Sequence, residues 1–266
     1  MIAIPILIVV LALIYLFLIA PKNKKEMNKF KAVMYAHRGL HNEDRAENSM
    51  SAFKAAVSGG YGIELDVRLS KDGRLVVFHD DTLDRVCGRE GRVIDFTAEE
   101  LATFKLNSTD DGIPLFSDVL SLVDGRVPLL VEIKEDPGVS AVSEATCEIL
   151  KGYKGEFIIE SFNPLSLRVV KKSYPQIPRG ILSQRYYEYE KYRKPLYFLL
   201  QSLLLNFLCR PAFIAYDHRH AKAFGLRLVR GIFGVPTLAW TVRSPEEELV
   251  ARKNGFDGII FENYIP

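Results

Sequence analysis

GIELDVRLSKDGRLVVFHD, residues 62–80, decides how this chain is read. It has the pattern of two strands joined by a tight turn at Lys71-Asp72-Gly73, where glycine accepts a positive φ without a steric penalty. On an extended strand, residues two apart face the same side. Glu64 and Asp66 therefore share one face, and Ile63, Leu65 and Val67 take the other. Two neighbouring carboxylates repel each other and lose hydration on burial. A divalent cation is the usual reason to keep such a pair, and hard cations prefer oxygen ligands. The second strand, 75–78, delivers His79 and Asp80 at its end, so metal-type ligands and a titratable imidazole come from one short unit. Taken alone, the stretch is equally compatible with a solvated strand face ending in a histidine.

Outward from this unit, short apolar strands alternate with helical stretches. Strands are expected at 33–36, 62–69, 75–78, 128–134, 157–162, 179–183, 212–217, 236–242 and 258–261. Helices are expected at 49–57, 115–123, 139–150, 164–173, 221–233 and 245–253, with a long helical region reaching Cys209. Residues 87–113 form an inserted loop with a short helix at 98–104. Eight main strands alternating with helices argue for a parallel α/β sheet closed into a TIM-type (β/α)8 barrel. A doubly wound open sheet is the alternative, but no Gly-x-Gly-x-x-Gly or phosphate-loop signature supports it. Barrel function sits at the C-terminal strand ends. The unusual polar residues fall there: His37, Arg38, Glu64, Asp66, Glu132, Lys134, Ser161, Asp217 and Trp240. Glu64, Asp66 and Glu132, distant in sequence, become one plausible ligand set.

In order, the chain carries His37-Arg38, Glu47-Asn48, Glu64-x-Asp66 and His79-Asp80, within AHRG, ENSMSAF, ELDVRLSKDGRLVVFHDDTLDR, VEIK, SFNP, AWTV and GFDGII. This set resembles the glycerophosphodiester phosphodiesterase family from about Met34 onward. The resemblance implies a phospholipase-C-like TIM barrel that hydrolyses a phosphodiester with one divalent cation, calcium or magnesium, with manganese also compatible. It implies Glu64, Asp66 and Glu132 as metal ligands, His37 and His79 as catalytic acid/base groups, and Arg38 and Lys134 as phosphate contacts. Trp240 either lines the substrate site or caps the barrel. Glu47 and Asp80 support these groups by hydrogen bonding, and Glu132 with Lys134 could alternatively be a structural ion pair. The residue types suit these roles: histidine titrates near neutrality, and Arg38 offers a planar fork to phosphate oxygens where Lys134 offers a point charge.

Two departures stand out. Ser49 replaces the family's usual threonine after Glu-Asn and keeps the hydroxyl. Near the end DGIIFENYIP stands where the family reads Asp-Gly-Ile-Ile-Thr-Asp and continues into a helix; Phe261-Glu262 replaces Thr-Asp, and no eighth outer helix is expected. His41 suggests no role. His218-Arg219-His220 reads as a solvated loop rather than a second metal site.

Residues 2–20 are almost wholly apolar and uncharged, followed by Lys22, Lys24, Lys25, Lys29 and Lys31 against Glu26 alone. At about 1.5 Å per residue such a run can cross a hydrocarbon core of roughly 30 Å. The missing basic n-region argues against a cleaved signal peptide, and the lysines place the rest of the chain on the cytoplasmic side. The expected organisation is a transmembrane anchor at 1–21, a basic linker at 22–31 and the barrel at 32–266, in a single-pass membrane protein. A second contact with lipid is expected from 185–209, where Tyr186, Tyr187, Tyr189, Tyr192 and Tyr197 mix with Lys191, Arg193 and Lys194 before the apolar run 196–208. The alternative is an outer helix packed on the barrel.

A net charge of +2 gives no field that points to nucleic acid, and three cysteines without metal spacing fit a reducing compartment. The expected substrates are glycerophosphodiesters or lysophospholipids. The competing function is a non-catalytic lipid- or metal-binding membrane protein on the same barrel.

Overall fold

Nine strands among the described residues carry the fold: β1 (Met34–Ala36), β2 (Gly62–Leu69), β3 (Leu75–Val77), β4 (Leu129–Ile133), β5 (Phe157–Ser161), β6 (Arg179–Ser183), β7 (Phe213–Asp217), β8 (Thr237–Val242) and β9 (Gly258–Phe261). The computed structural model describes residues 3–22, 25–107, 109–135 and 140–266. The first two residues of the expected anchor, Lys24 of the basic stretch and Val139 at the expected start of a helix lie outside them. The strand order is β1-β9-β8-β7-β6-β5-β4-β2-β3, and β1 also pairs with β2. β3 lies antiparallel on β2; the other pairings are all parallel and close an eight-stranded barrel.

Register decides which residues look inward. The pairs Tyr35↔Gly62, Glu64↔Leu130, Asp66↔Glu132, Glu132↔Glu160, Gly180↔Phe213 and Asp217↔Trp240 set the inner face. The alternate residues, among them Ile63, Leu65, Val67, Val131, Ile159 and Ile214, are buried beneath the surrounding helices. Strands buried on both faces read as near-continuous apolar runs, which is why polar residues inside them stand out. Bulky and small residues alternate around the lower barrel. A Cβ on Gly62 would lie 2.8 Å from Tyr35 Cδ1, and one on Gly180 would fall inside the Phe213 ring's van der Waals envelope. Those two glycines make room for two aromatic rings in the floor.

The floor is closed from below by residues expected to be linker. A short 3-10 helix, Lys25–Phe30, brings Met27 and Phe30 to 1% and 2% exposure against Tyr35, Leu130, Ile158, Phe213, Leu238 and Ile260. The barrel's packing thus begins ahead of residue 32; the flanking lysines disguise two apolar plugs.

Helix starts follow local chemistry. Ser49 caps Met50–Gly59 by accepting from the Ala52 amide, and Asn163 and Ser244 cap helices that open with Pro164 and Pro245. The long helix expected up to Cys209 is absent. The segment breaks into the 3-10 turns Tyr186–Glu188 and Glu190–Tyr192 and the short helices Pro195–Gln201 and Asn206–Cys209. Pro195 stops any helix arriving from upstream, Leu203 turns at φ +61°, and the rings of Tyr186, Tyr192 and Tyr197 pack edge-on or tilted against one another with centroids 4.6–5.6 Å apart. Leu203, Asn206 and Cys209 are buried, and Lys171 Nζ reaches the Phe207 and Leu208 carbonyls. Within the apolar run 196–208 Leu196 and Phe198 are broadly exposed, Leu203 and Asn206 are buried, and the rest are half-buried.

The N-terminal helix Ala3–Ile19 has 17 residues, about 26 Å at ~1.5 Å per residue. Among the described residues no helix is long and apolar enough to cross a membrane. Its C-terminal end is fixed to the barrel: Asn206 Nδ2 donates to the Ile19 carbonyl, Arg210 Nη1 donates to the Phe17 and Ala20 carbonyls, and Tyr15 packs on Phe224. Upstream, Ile4, Leu7, Ile8, Leu11 and Ile14 remain exposed.

Candidate active site

β2, β4 and β5 lie side by side and aim four carboxylates into the barrel: Glu64, Asp66, Glu132 and Glu160, each 6% exposed or less. Asp66 is the best supplied. Asn48 Nδ2 donates to its Oδ2 at 2.8 Å, Lys134 Nζ lies 3.1 Å from its Oδ1, and Arg38 Nε lies 3.5 Å from its Oδ2. Burial alone would raise its pKa, but Lys134, His79 and Arg38 hold it well below the usual carboxylate range. Glu64 accepts from the Arg38 backbone amide at 2.8 Å, which Arg38 can offer because it sits at φ +54° just past β1. Burial and the charges on Asp66 and Glu132 nevertheless push Glu64 well up. Glu132 is paired with Lys134 at 2.6 Å, yet burial raises it to about 7. Glu160 is pushed up by burial and by Glu132 and Glu64, and its Oε2 has no hydrogen-bond partner among the described residues.

Glu64, Glu132 and Glu160 each offer an oxygen within 4.8 Å of the other two. Oxygen-only donors, mutual repulsion and an orphaned buried oxygen are what a hard divalent cation satisfies, so the residues fit such an ion. The sequence puts Asp66 in this trio and gives no sign of Glu160 as a member. The available signal is a charged residue inside FIIES, a strand otherwise buried on both faces, but only the register with Glu132 places it.

Two histidines flank the carboxylates. His37 Nδ1 lies 2.6 Å from Glu262 Oε2, and its Nε2 faces inward, 4.0 Å from Glu64 Oε2. Burial lowers its pKa against the pull of Glu262. His79 Nδ1 lies 2.6 Å from Asp80 Oδ1, and burial, with Lys134 and Arg38 nearby, brings it down to about 4 despite Asp66 and Asp80. Each imidazole is therefore braced at Nδ1 by a carboxylate, which leaves Nε2 for chemistry. Glu262, in sequence only a departure from the family pattern, is the brace for His37, and His41 Nε2 stands 3.8 Å from the same oxygen.

Glu47 is joined to the site through a chain of charged hydrogen bonds. Arg38 Nη1 and both terminal nitrogens of Arg85 donate to Glu47, and Arg85 Nε donates to Asp80 at 2.6 Å. A charged bridge thus links the loop after β1 to His79. Arg85 closes the quoted stretch ELDVRLSKDGRLVVFHDDTLDR, but the sequence assigns it no task.

His37, Arg38, Glu64, His79, Glu132, Lys134 and Trp240 line one cavity of about 190 Å³, with Phe162 packed edge-on against Trp240 at 5.4 Å. Ser161 and Asp217 do not join it. The Ser161 hydroxyl donates to the Ile133 carbonyl, and Asp217 is clasped by Arg219. His218, expected in solvent, is buried 3.5 Å from Glu247. His220 pairs with Glu188.

The family model for glycerophosphoryl diester phosphodiesterases matches residues 37–265. A glycerophosphodiester phosphodiesterase of Caldanaerobacter subterraneus subsp. tengcongensis is 42% identical over 166 residues, covering 58% of this chain and 68% of that protein. A crystal structure of a glycerophosphodiester phosphodiesterase from Thermotoga maritima superposes with a TM-score of 0.67 at 29% identity, covering 86% of this chain and 94% of that one. An Oleispira antarctica phosphodiesterase, solved with the product sn-glycerol-3-phosphate, shares the fold with a TM-score of 0.72 at 23% identity, over 88% and 94% of the two chains.

Proposed function

This chain belongs to the glycerophosphoryl diester phosphodiesterase family, and on that premise we propose that it hydrolyses glycerophosphodiesters to an alcohol and glycerol phosphate by acid/base catalysis from His37 and His79. One observation carries the reading: two imidazoles, each braced at Nδ1 by a carboxylate, flank a cavity that also holds Arg38, Lys134 and the carboxylate cluster.

Arg38 and Lys134 bind the phosphate oxygens and set the phosphorus between the histidines. A hydroxyl of the substrate's glycerol, next to the ester, attacks phosphorus; one histidine takes its proton and the other gives a proton to the departing alcohol oxygen. Water then opens the cyclic phosphate with the two proton transfers reversed. Glu262 and Asp80 keep each imidazole in the Nδ1–H tautomer and stabilise it when it is charged. Glu64, Asp66 and Glu132, with Glu160 beside them, would hold a divalent cation, which when bound would screen phosphate charge and polarise a phosphoryl oxygen. Trp240 walls the substrate cavity.

The exposed apolar side chains of 4–14 and the basic residues after them support a membrane-anchored protein with its catalytic domain on the cytoplasmic side. Such a position favours lipid-derived substrates, deacylated or lyso. The test is cleavage by the full chain in detergent of glycerophosphocholine, glycerophosphoethanolamine and a lysophospholipid, with and without EDTA, beside His37→Ala. Cation-dependent turnover lost in the variant is the expected result. No turnover by folded, cation-loaded protein on any of the three transfers the function to lipid or metal binding.

A further inference from the structure

Glu160 belongs to none of the motifs that identify the family pattern in this chain, yet it sits in the middle of the site. It is inward on β5, level with Glu132 on β4, and 1% exposed. Its Oε2 has no partner among the described residues, and its carboxylate converges with Glu64 and Glu132 to within 4.8 Å. The cations nearby are engaged elsewhere: Lys134 lies on Glu132 and Asp66, and Arg38 on Glu47 and Asp66. A buried carboxylate with an unpaired oxygen is strongly unfavourable unless something compensates it. Asp66 differs in having compensation: Asn48 donates to its Oδ2, and Lys134 Nζ lies 3.1 Å from its Oδ1 as an ion pair, although that Oδ1 also lacks a hydrogen-bond partner among the described residues.

We propose that Glu160 is a direct ligand of the bound divalent cation and that the resulting carboxylate-rich site prefers Ca²⁺ to Mg²⁺. The proposal rests on the reading that the cation sits among Glu64, Asp66 and Glu132. Ca²⁺ takes about six to eight oxygens at ~2.3–2.6 Å in irregular geometry, whereas Mg²⁺ demands a near-octahedral shell at ~2.0–2.1 Å and keeps several waters. Carboxylates crowded on three adjacent strands suit the first ion.

The experiment titrates CaCl2 and MgCl2 by calorimetry into the detergent-solubilised full chain as wild type, Glu160→Gln, Glu160→Asp and Glu64→Gln. The terbium luminescence lifetime of each gives the number of waters left on the ion. Glu160→Gln is expected to weaken Ca²⁺ binding at least tenfold, to narrow the Ca²⁺/Mg²⁺ ratio and to add about one bound water, with Glu160→Asp in between. Should Glu160→Gln fail to fold, Glu160→Asp carries the test, with at least threefold weaker Ca²⁺ binding expected. Weakened binding in Glu64→Gln with both Glu160 variants within twofold of wild type overturns this proposal alone. Unchanged binding in Glu64→Gln as well overturns the cation site itself.

Discussion

Replacing Glu262 by glutamine removes one charge and almost no volume, and it isolates what that side chain does for His37. The carboxylate lies 2.6 Å from Nδ1 and is shared with Arg243 Nε at 2.6 Å. When His37 takes a proton, an imidazolium forms about 4 Å from the carboxylate charge; at an effective dielectric of about 20 that attraction is about 4 kcal/mol. Arg243 already neutralises part of the charge, so about 3 kcal/mol is the expected loss, or roughly 150-fold in kcat at ~1.36 kcal/mol per decade. Glutamine can also donate to Nδ1 and so favour the tautomer with its proton on Nε2, which takes away the lone pair facing the cavity. KM should change little, because Glu262 touches neither Arg38 nor Lys134. The assay is steady-state cleavage of the preferred glycerophosphodiester at saturating cation, with thermal unfolding as the folding control. A kcat within threefold of wild type in folded protein refutes the assignment of Glu262 as the brace and leaves His37 without one.

Two further outcomes come from the interior. Burial raises Glu132 to about 7, so protons compete with the cation there. Ca²⁺ affinity should fall about tenfold from pH 8 to 6 through this group, with proton release seen by calorimetry in two buffers of different ionisation enthalpy. Its folded pKa lies above the unfolded one, so the EDTA-treated protein should lose thermal stability as pH rises from about 5 to 8, with added cation restoring it; a flat profile contradicts the assignment. In the floor, Gly180→Ala forces a methyl group into the Phe213 ring, and overpacking of this kind costs up to about 3 kcal/mol. For a chain of this size that is a drop in Tm of ~6–12 °C, and an unchanged Tm would show that the floor is loosely filled.

The parts of the fold legible in the sequence are those where local and tertiary preferences agree. β6 and β9 and the helices opening at Pro164 and Pro245 begin and end where their apolar runs and caps say. The region 184–209 misleads because its composition is helical while its tyrosines pack on one another and on the barrel. Met27 and Phe30 hide among lysines, and only a closed barrel has a floor for them to plug. Of the site, the motif residues are readable directly, because charge inside a doubly buried strand has few explanations. Glu160 is not, since its partner is set by register across strands. Asn48 stands in its motif without a legible task, and in the fold it orients Asp66. Glu262 reads in sequence as a loss from the family pattern, yet its longer side chain reaches His37.

The short helix Lys25–Phe30 has a consequence for the order of events during synthesis. Met27 and Phe30 leave the ribosome ahead of every barrel strand, but their seat includes Leu238 of β8 and Ile260 of β9, which follow more than 200 residues later. The Ala32 amide likewise waits for the Asp257 carbonyl. All nine strands must be translated before this segment can dock, and until then its two apolar side chains lack their native seat. Closure of the ring and seating of the plug are therefore one late, long-range step, and whatever shelters residues 3–30 in the interval determines how much of the newly made protein reaches its native state.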